Sequence, residues 1–228
     1  MAQAAIELLL RILNEAHEPN REQDIRIAFI YRHARNIFEL AEDVLLLEHA
    51  GRNSSTPVII RAMLEGLFNL VATVKNPAFA TEKMVSELEY DVSKLESWKD
   101  SGIQPGLDAR RNYATKLRQE FTITTNKKWR VLDCAKAAEL ESYYEREYFL
   151  FSSHAHAATL AVIAQEDNIG QHHRIGAVFF VAVCAAGHAA QILRTRTPQA
   201  HVDEAARLLR LATDLHEKGL FDEFDASS

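Results

Sequence analysis

The stretch Ile175–Leu193, IGAVFFVAVCAAGHAAQIL, decides the fold class of this chain. Over its 19 residues it contains no Asp, Glu, Lys or Arg, and its most polar side chains are His188 and Gln191. A run of this length approaches that of a membrane span. Because it is rich in Ala and Gly and has no second hydrophobic span beside it, we expect instead a helix over about 173–195 that its neighbours bury on all sides.

The rest of the composition favours packed helices around that centre. The chain has 228 residues, 47% apolar side chains, eight Gly and five Pro, a balance typical of helices rather than of a sandwich or barrel. At this length we expect one domain over 1–228, with its core at about 21–217 and a loose tail at about 219–228. The predicted fold class is all-α, a single bundle of about seven to nine helices.

Cysteine usage and the N-terminus predict a cytoplasmic protein. Cys134 and Cys184 each lie in an apolar helical pattern without CxxC spacing, so neither a zinc site nor a disulfide framework is indicated. The first residues lack the basic leader of a secretory signal. The helices show no Glu-x-x-His pairs of the kind that bind metals in bundles. We therefore expect no membrane partner, no metal and no cofactor.

A polar column runs through an otherwise apolar helix near residue 150. Ser142 and Glu145 have capping-box spacing and predict that a helix begins there and continues to about 156. Four side chains follow at four-residue spacing: Tyr144, Tyr148, Ser152 and His156. Such residues drift by only about 40° per step on an α-helix, so they line one stripe. This stripe is the candidate site.

A second polar group is predicted on the helix that spans about 58–75. Arg61, Glu65 and Asn69 follow one another at four-residue spacing, amid apolar residues at most other positions. Because such a helix should be largely buried, the charged pair must face either a polar cavity or charged partners. A structural ion pair and a site role stay open as alternatives. If the two groups converge, one polar pocket contains Arg61, Glu65, Tyr148, Ser152 and His156.

These two motifs resemble those of a known helical family. Arg61-x3-Glu65, followed by Tyr148-x3-Ser152-Ser153-x2-Ala155-His156, is similar to the signature of domain of unknown function 5677, over about residues 35–195. This chain departs from the family at Ala157, where a Gly is usual, and at His154, where a bulky apolar residue is usual. The resemblance implies a helical fold and a site, and it supplies no reaction.

The segment 110–130, called the basic stretch below, suggests a nucleic-acid interface in a chain of net charge −6. Its cations are Arg110, Arg111, Lys116, Arg118, Lys127, Lys128 and Arg130. Interleaved with them are aromatic side chains such as Tyr113 and Trp129, which could stack on bases while the cations contact phosphates. The alternative is a basic face that balances the acidic helix at 82–100, within the molecule or across a dimer.

A further similarity links the chain to the HEPN superfamily of helical ribonucleases and nucleotide-linked toxins. These proteins carry an Arg-x4-to-6-His helix at a dimer interface, and Arg26-x6-His33 has that spacing, although Ile27 replaces the usual polar residue. The similarity implies a homodimer and metal-independent RNA cleavage. In that case a histidine acts as general base and an arginine stabilises the phosphorane.

Two function classes therefore stay open. The first is a non-catalytic module of a bacterial defence or stress system that senses a small ligand or binds a protein. The second is a metal-independent, HEPN-like ribonuclease or phosphoryl-transfer toxin using Arg61, Ser152 and His156. The position of the basic stretch should discriminate between them, because a nuclease needs its phosphate-binding surface beside its pocket.

Overall fold

The computed structural model describes residues 1–16, 24–97, 106–156, 170–193 and 198–217, without the side chains of 154–156 and 215–217. All regular elements in these ranges are helical. They are α1 (Ala2–Ala16), α2 (Ile25–His49), α3 (Thr56–Lys75), α4 (Phe79–Ser97), α5 (Leu107–Glu120), α6 (Val131–Ala138), α7 (the consecutive segments Glu141–Tyr143, Tyr144–Tyr148 and Phe149–His156), α8 (Gln171–Ile192) and α9 (Gln199–Glu217). Nine helices in the described ranges confirm the predicted all-α bundle. The predicted tail at 219–228 lies outside them.

Helix α8 is the centre of the bundle, as its sequence predicts. It runs over Gln171–Ile192 rather than 173–195, and 15 of its 22 residues are buried. It packs against α1, α2, α3 and α9. Burial on all sides removes the need for a polar face and explains why this helix has no amphipathic pattern.

Two glycines allow helices to approach each other closely in this core. A Cβ added at Gly66 of α3 would lie 3.2 Å from Cγ1 of Ile37 on α2. A Cβ added at Gly187 of α8 would lie 3.1 Å from Cδ2 of Leu209 on α9. Both contacts are tighter than ordinary van der Waals packing. Each glycine therefore sets the spacing of one helix pair.

A second apolar helix accompanies α8, contrary to the expectation from sequence. By length and hydropathy, both Asn53–Lys75 and Gln171–Ile192 are long and apolar enough to cross a membrane. The core helix of a bundle passes the same test, and 61% and 78% of the two apolar windows are buried inside the structure. Both helices pack within the bundle.

A buried ion pair joins the C-terminal end of α2 to α8. Arg174 donates from Nε to Glu48 Oε1 at 2.5 Å and from Nη2 to Oε2 at 3.1 Å. The two side chains are 1% and 3% exposed. The hydroxyl of Thr56, the first residue of α3, donates to Glu48 Oε1 at 3.0 Å. This hydrogen bond joins the start of α3 to the buried pair.

Candidate functional site

The Arg61–Glu65 pair lies on the surface of α3 that faces α7. Arg61 Nε is 3.2 Å from Glu65 Oε1, at the four-residue spacing predicted from sequence. The two side chains keep 26% and 37% of their surface exposed. An exposed pair of this kind would contribute little to stability. A third residue, on α7, hydrogen-bonds to both members of this pair.

Tyr148 of α7 completes the cluster. Its hydroxyl donates to Glu65 Oε1 at 2.8 Å and accepts from Arg61 Nε at 3.1 Å. The guanidinium carbon of Arg61 also lies 5.5 Å from the centre of the Tyr148 ring. Arg61 thus shares its Nε–H between the two oxygens. These three residues, called the polar cluster below, join α3 to α7.

A π-helical turn aims Tyr148 at α3. Residues Tyr144–Tyr148 form this turn, in which the N–H of Phe149 bonds to the carbonyl of Tyr144, five residues back. The predicted regular α-helix is therefore wrong here, and Ser142 does not cap it, because Leu140 occupies the cap position. The Tyr144 ring stacks on Tyr148 at 5.0 Å between centroids. π turns are rare and are frequently found at functional sites.

The phenol of Tyr148 is held in its neutral form. Burial raises the pKa of Tyr148 to about 12, and the hydrogen bond to Glu65 acts in the same direction, while Arg61 partly opposes it. The side chain is only 7% exposed. At neutral pH the hydroxyl is therefore a hydrogen-bond donor to a carboxylate.

The remaining residues of the predicted pocket are only partly described. Ser152 lies one turn after Tyr148 on α7 and is half-buried. His156 is the last residue of α7, and its side chain, like that of His154, lies outside the described part. Asn69, one turn after Glu65 on α3, has a buried Oδ1 without a hydrogen-bond partner in the described part of the chain. The structure thus brings together Arg61, Glu65 and Tyr148.

Three cations of the basic stretch are paired with acids of α4. Arg118 contacts both carboxylate oxygens of Glu89, at 2.6 and 2.9 Å, and Arg111 hydrogen-bonds to Glu96. The third pair joins Arg110 and Asp91 at 3.7 Å. Intramolecular charge balance, the alternative to a nucleic-acid interface, therefore accounts for these three arginines.

The end of the basic stretch packs against α4. The Lys127 ammonium lies 3.5 Å from the centre of the Trp129 ring, and that ring packs edge-to-face on Phe79 at 4.7 Å. Arg130 caps α6 with its backbone N–H on Asp133, and Lys116 and Lys128 have no ion pair among the described residues. These contacts of the stretch are with α4 and α6, and no residue of the polar cluster takes part in them.

Arg26 and His33, the residues with HEPN-like spacing, have separate surroundings. The Arg26 guanidinium donates to the carbonyls of Thr73 at 3.1 Å and Val74 at 2.7 Å. It thereby satisfies the C-terminal carbonyls of α3, which lack partners within the helix. The His33 ring packs against Phe29 and borders a cavity described below.

Two further polar contacts between distant residues could not be predicted from sequence. Glu48–Arg174 joins residues 126 positions apart. His173 Nε2 lies 2.7 Å from Glu147 Oε2, which ties the π turn to α8. Pairing over such separations depends on helix packing, which local spacing does not reveal. In the described ranges, no group of three or more His, Cys, Asp and Glu side chains could hold a metal ion.

Comparison with known proteins gives one match. The model of a family of unknown function, DUF5677, matches residues 28–171. That range contains nearly all of α2, the whole of α3 to α7 and all five residues of the predicted pocket, whereas α1, α9 and nearly all of α8 lie outside it. No curated protein and no solved structure matches the chain.

Proposed function

The chain belongs to the family of unknown function DUF5677, and we propose that it acts as a non-catalytic module that senses a ligand or binds a protein through the polar cluster. The observation that carries this proposal is the π turn Tyr144–Tyr148. An interrupted helix is maintained only where the surrounding structure compensates for it. Here the turn directs a buried phenol at a carboxylate that remains 37% exposed.

The groups of the cluster suit recognition better than catalysis. A nucleophile or general base needs a pKa near the working pH, and the pKa of Tyr148 is raised to about 12. Glu65 accepts hydrogen bonds from two fixed donors, Tyr148 and Arg61, so its exposed surface offers a preoriented acceptor.

The ribonuclease alternative has less support. It requires a phosphate-binding surface beside Arg61, Ser152 and His156, whereas three of the seven cations in the basic stretch are paired with α4. Arg26 is engaged with the carbonyls of α3, which removes it from an Arg-x6-His catalytic pair. RNA cleavage is therefore measured in an assay that accompanies the ligand screen described below.

We include a cytoplasmic location in the proposal. Cys134 and Cys184 are free and buried, and unpaired thiols persist where the surroundings are reducing. Burial raises the pKa of both thiols, to about 11 for Cys134. Both are therefore inert core residues rather than reactive groups.

The test is a thermal-shift screen of small polar metabolites and peptides against wild type and Glu65→Gln. A ligand at 100 times its Kd stabilises the folded state by about 2.7 kcal/mol, which raises Tm by about 5–10 °C for a chain of this size. We expect at least one compound to give this shift with wild type and a much smaller one with Glu65→Gln. The control is Glu39→Gln, which alters an exposed ion pair of the same spacing, Arg35–Glu39.

A parallel RNA assay tests the enzyme alternative. Wild type and His156→Ala are incubated with a mixed RNA pool in chelator, without added metal. We expect no cleavage by either protein. Cleavage by wild type that falls 10²- to 10⁴-fold in His156→Ala, the usual cost of losing a general base, would replace the proposal with the ribonuclease.

A further inference from the structure

A cavity of about 220 Å³ lies between α2, α4 and α5. Its lining includes Ile25, Ala28, Phe29, His33, Met84 and Tyr113. None of these residues belongs to the polar cluster, so the cavity is a separate feature. An apolar cavity of about 150 Å³ holds benzene. This one is large enough for a fused bicyclic ring.

A wider cleft adjoins the cavity. It has a volume of about 990 Å³ and shares Ile25 and Tyr113 with the cavity. Its lining carries charges of both signs, including Asp24, Lys116 and Glu120. A ligand can therefore enter from a polar, hydrated space into an apolar one.

His33 is the polar group inside the cavity. Burial, assisted by the charge of Lys83, lowers the pKa of His33 to about 4, so the imidazole is neutral at pH 7. Its ring nitrogens have no hydrogen-bond partner among the described residues, while its ring packs on Phe29 with centroids 4.4 Å apart. A neutral, half-buried imidazole whose nitrogens have no hydrogen-bond partner among the described residues offers one acceptor and one donor.

We propose that the cavity binds a small, uncharged aromatic molecule whose ring packs against Phe29, Tyr113 and Met84 and whose N–H or hydroxyl hydrogen-bonds to His33. An apolar pocket with one convergent polar group is the usual form of such sites. An anion would lose hydration there without compensation, because His33 is neutral and Arg32, at the edge, already has an interaction partner. This site is separate from the polar cluster, and its test does not depend on the function proposed for that cluster.

The test uses indole as probe and 1-methylindole as its matched control, since methylation replaces the N–H donor by a methyl group and keeps the ring system. Calorimetric titration of the full chain should give saturable binding of indole. The methylated probe should bind about tenfold more weakly, the value of one hydrogen bond. In His33→Phe, which keeps a ring at that position, the tenfold preference should disappear.

A cavity-blocking variant locates the site. Met84→Trp should abolish binding of both probes, whereas Val58→Trp, at an exposed position on α3, should leave it unchanged. Nuclear Overhauser contacts between indole and the Tyr113 ring place the probe in wild type, independently of how the variants fold. Absence of saturable binding, binding that survives Met84→Trp in a folded variant, or equal affinity for the two probes would overturn the proposal.

Discussion

Replacing Glu48 by Gln should destabilise this protein more than any conservative change on its surface. Glu48 and Arg174 are 3% and 1% exposed, and two hydrogen bonds of 2.5 and 3.1 Å join them. Glu48→Gln keeps the size of the side chain and removes its charge. The guanidinium of Arg174 would then lose the carboxylate of Glu48 as a counter-charge, although it keeps a further interaction.

The expected loss is about 3–5 kcal/mol, the range observed when one partner of a buried ion pair is removed. Domains have only about 5–15 kcal/mol of stability in total. For a chain of this length, each kcal/mol corresponds to about 2–4 °C in Tm. We therefore expect Tm to fall by about 6–20 °C, and the urea midpoint to shift without a change in m, both followed by circular dichroism at 222 nm.

Two comparisons make the reasoning refutable. Glu39→Gln breaks an exposed pair with Arg35 and should change stability by less than about 0.5 kcal/mol. The double variant Glu48→Leu with Arg174→Met removes both charges and should be more stable than Glu48→Gln alone. A loss below about 1 kcal/mol in Glu48→Gln, or a double variant less stable than either single one, would refute the role of the buried charge.

Three further predictions concern the polar cluster, the cavity and the basic stretch. Tyr148→Phe removes the hydroxyl that bonds to Glu65 and should cost about 1 kcal/mol in urea unfolding, since the carboxylate is partly solvated; an unchanged midpoint would contradict this. The folded-state pKa of His33, about 4, lies below its ordinary 6.5, so the unfolded chain takes up the proton first. The contribution of His33 to the free energy of unfolding should be complete above pH 6.5 and fall by about 3 kcal/mol towards pH 4. A His33→Gln variant whose stability has the same pH dependence as that of wild type would disprove this. A plot of the logarithm of the RNA binding constant against that of salt concentration should have a slope shallower than about −3 for single-stranded RNA, because three cations of the basic stretch are already paired. Seven phosphate contacts would give a slope of about −5, and that result would support the nucleic-acid interface.

The sequence predicts the helices better than their partners. The uncharged run at 175–193 identifies the buried central helix α8, because only a helix without a solvent face can omit charges for so long. Arg61 and Glu65 are recognisable from four-residue spacing in an apolar helix. Tyr148 follows from the same reasoning, since a buried phenol needs a hydrogen-bond partner.

The parts that sequence reasoning missed depend on geometry between distant elements. Local spacing predicts a regular helix after Ser142, and only the packing of α7 on α3 and the contact of Glu147 with His173 reveal the π turn. The basic stretch has an unusual charge density, but its partners are 15 to 29 residues earlier in α4. Composition gives the number of acidic and basic side chains and does not show which of them meet.

The π turn at Tyr144–Tyr148 has a consequence for how this chain tolerates insertions and deletions. A turn closed by a bond five residues back contains one residue more than an α-helical turn. Removing one residue, such as Glu145, would therefore restore α-helical bonding while the flanking helical segments keep their places. Elsewhere in α7 the same deletion would rotate every later side chain by about 100°. The turn is thus the one place in this helix where a change in chain length need not change the direction of the side chains that follow.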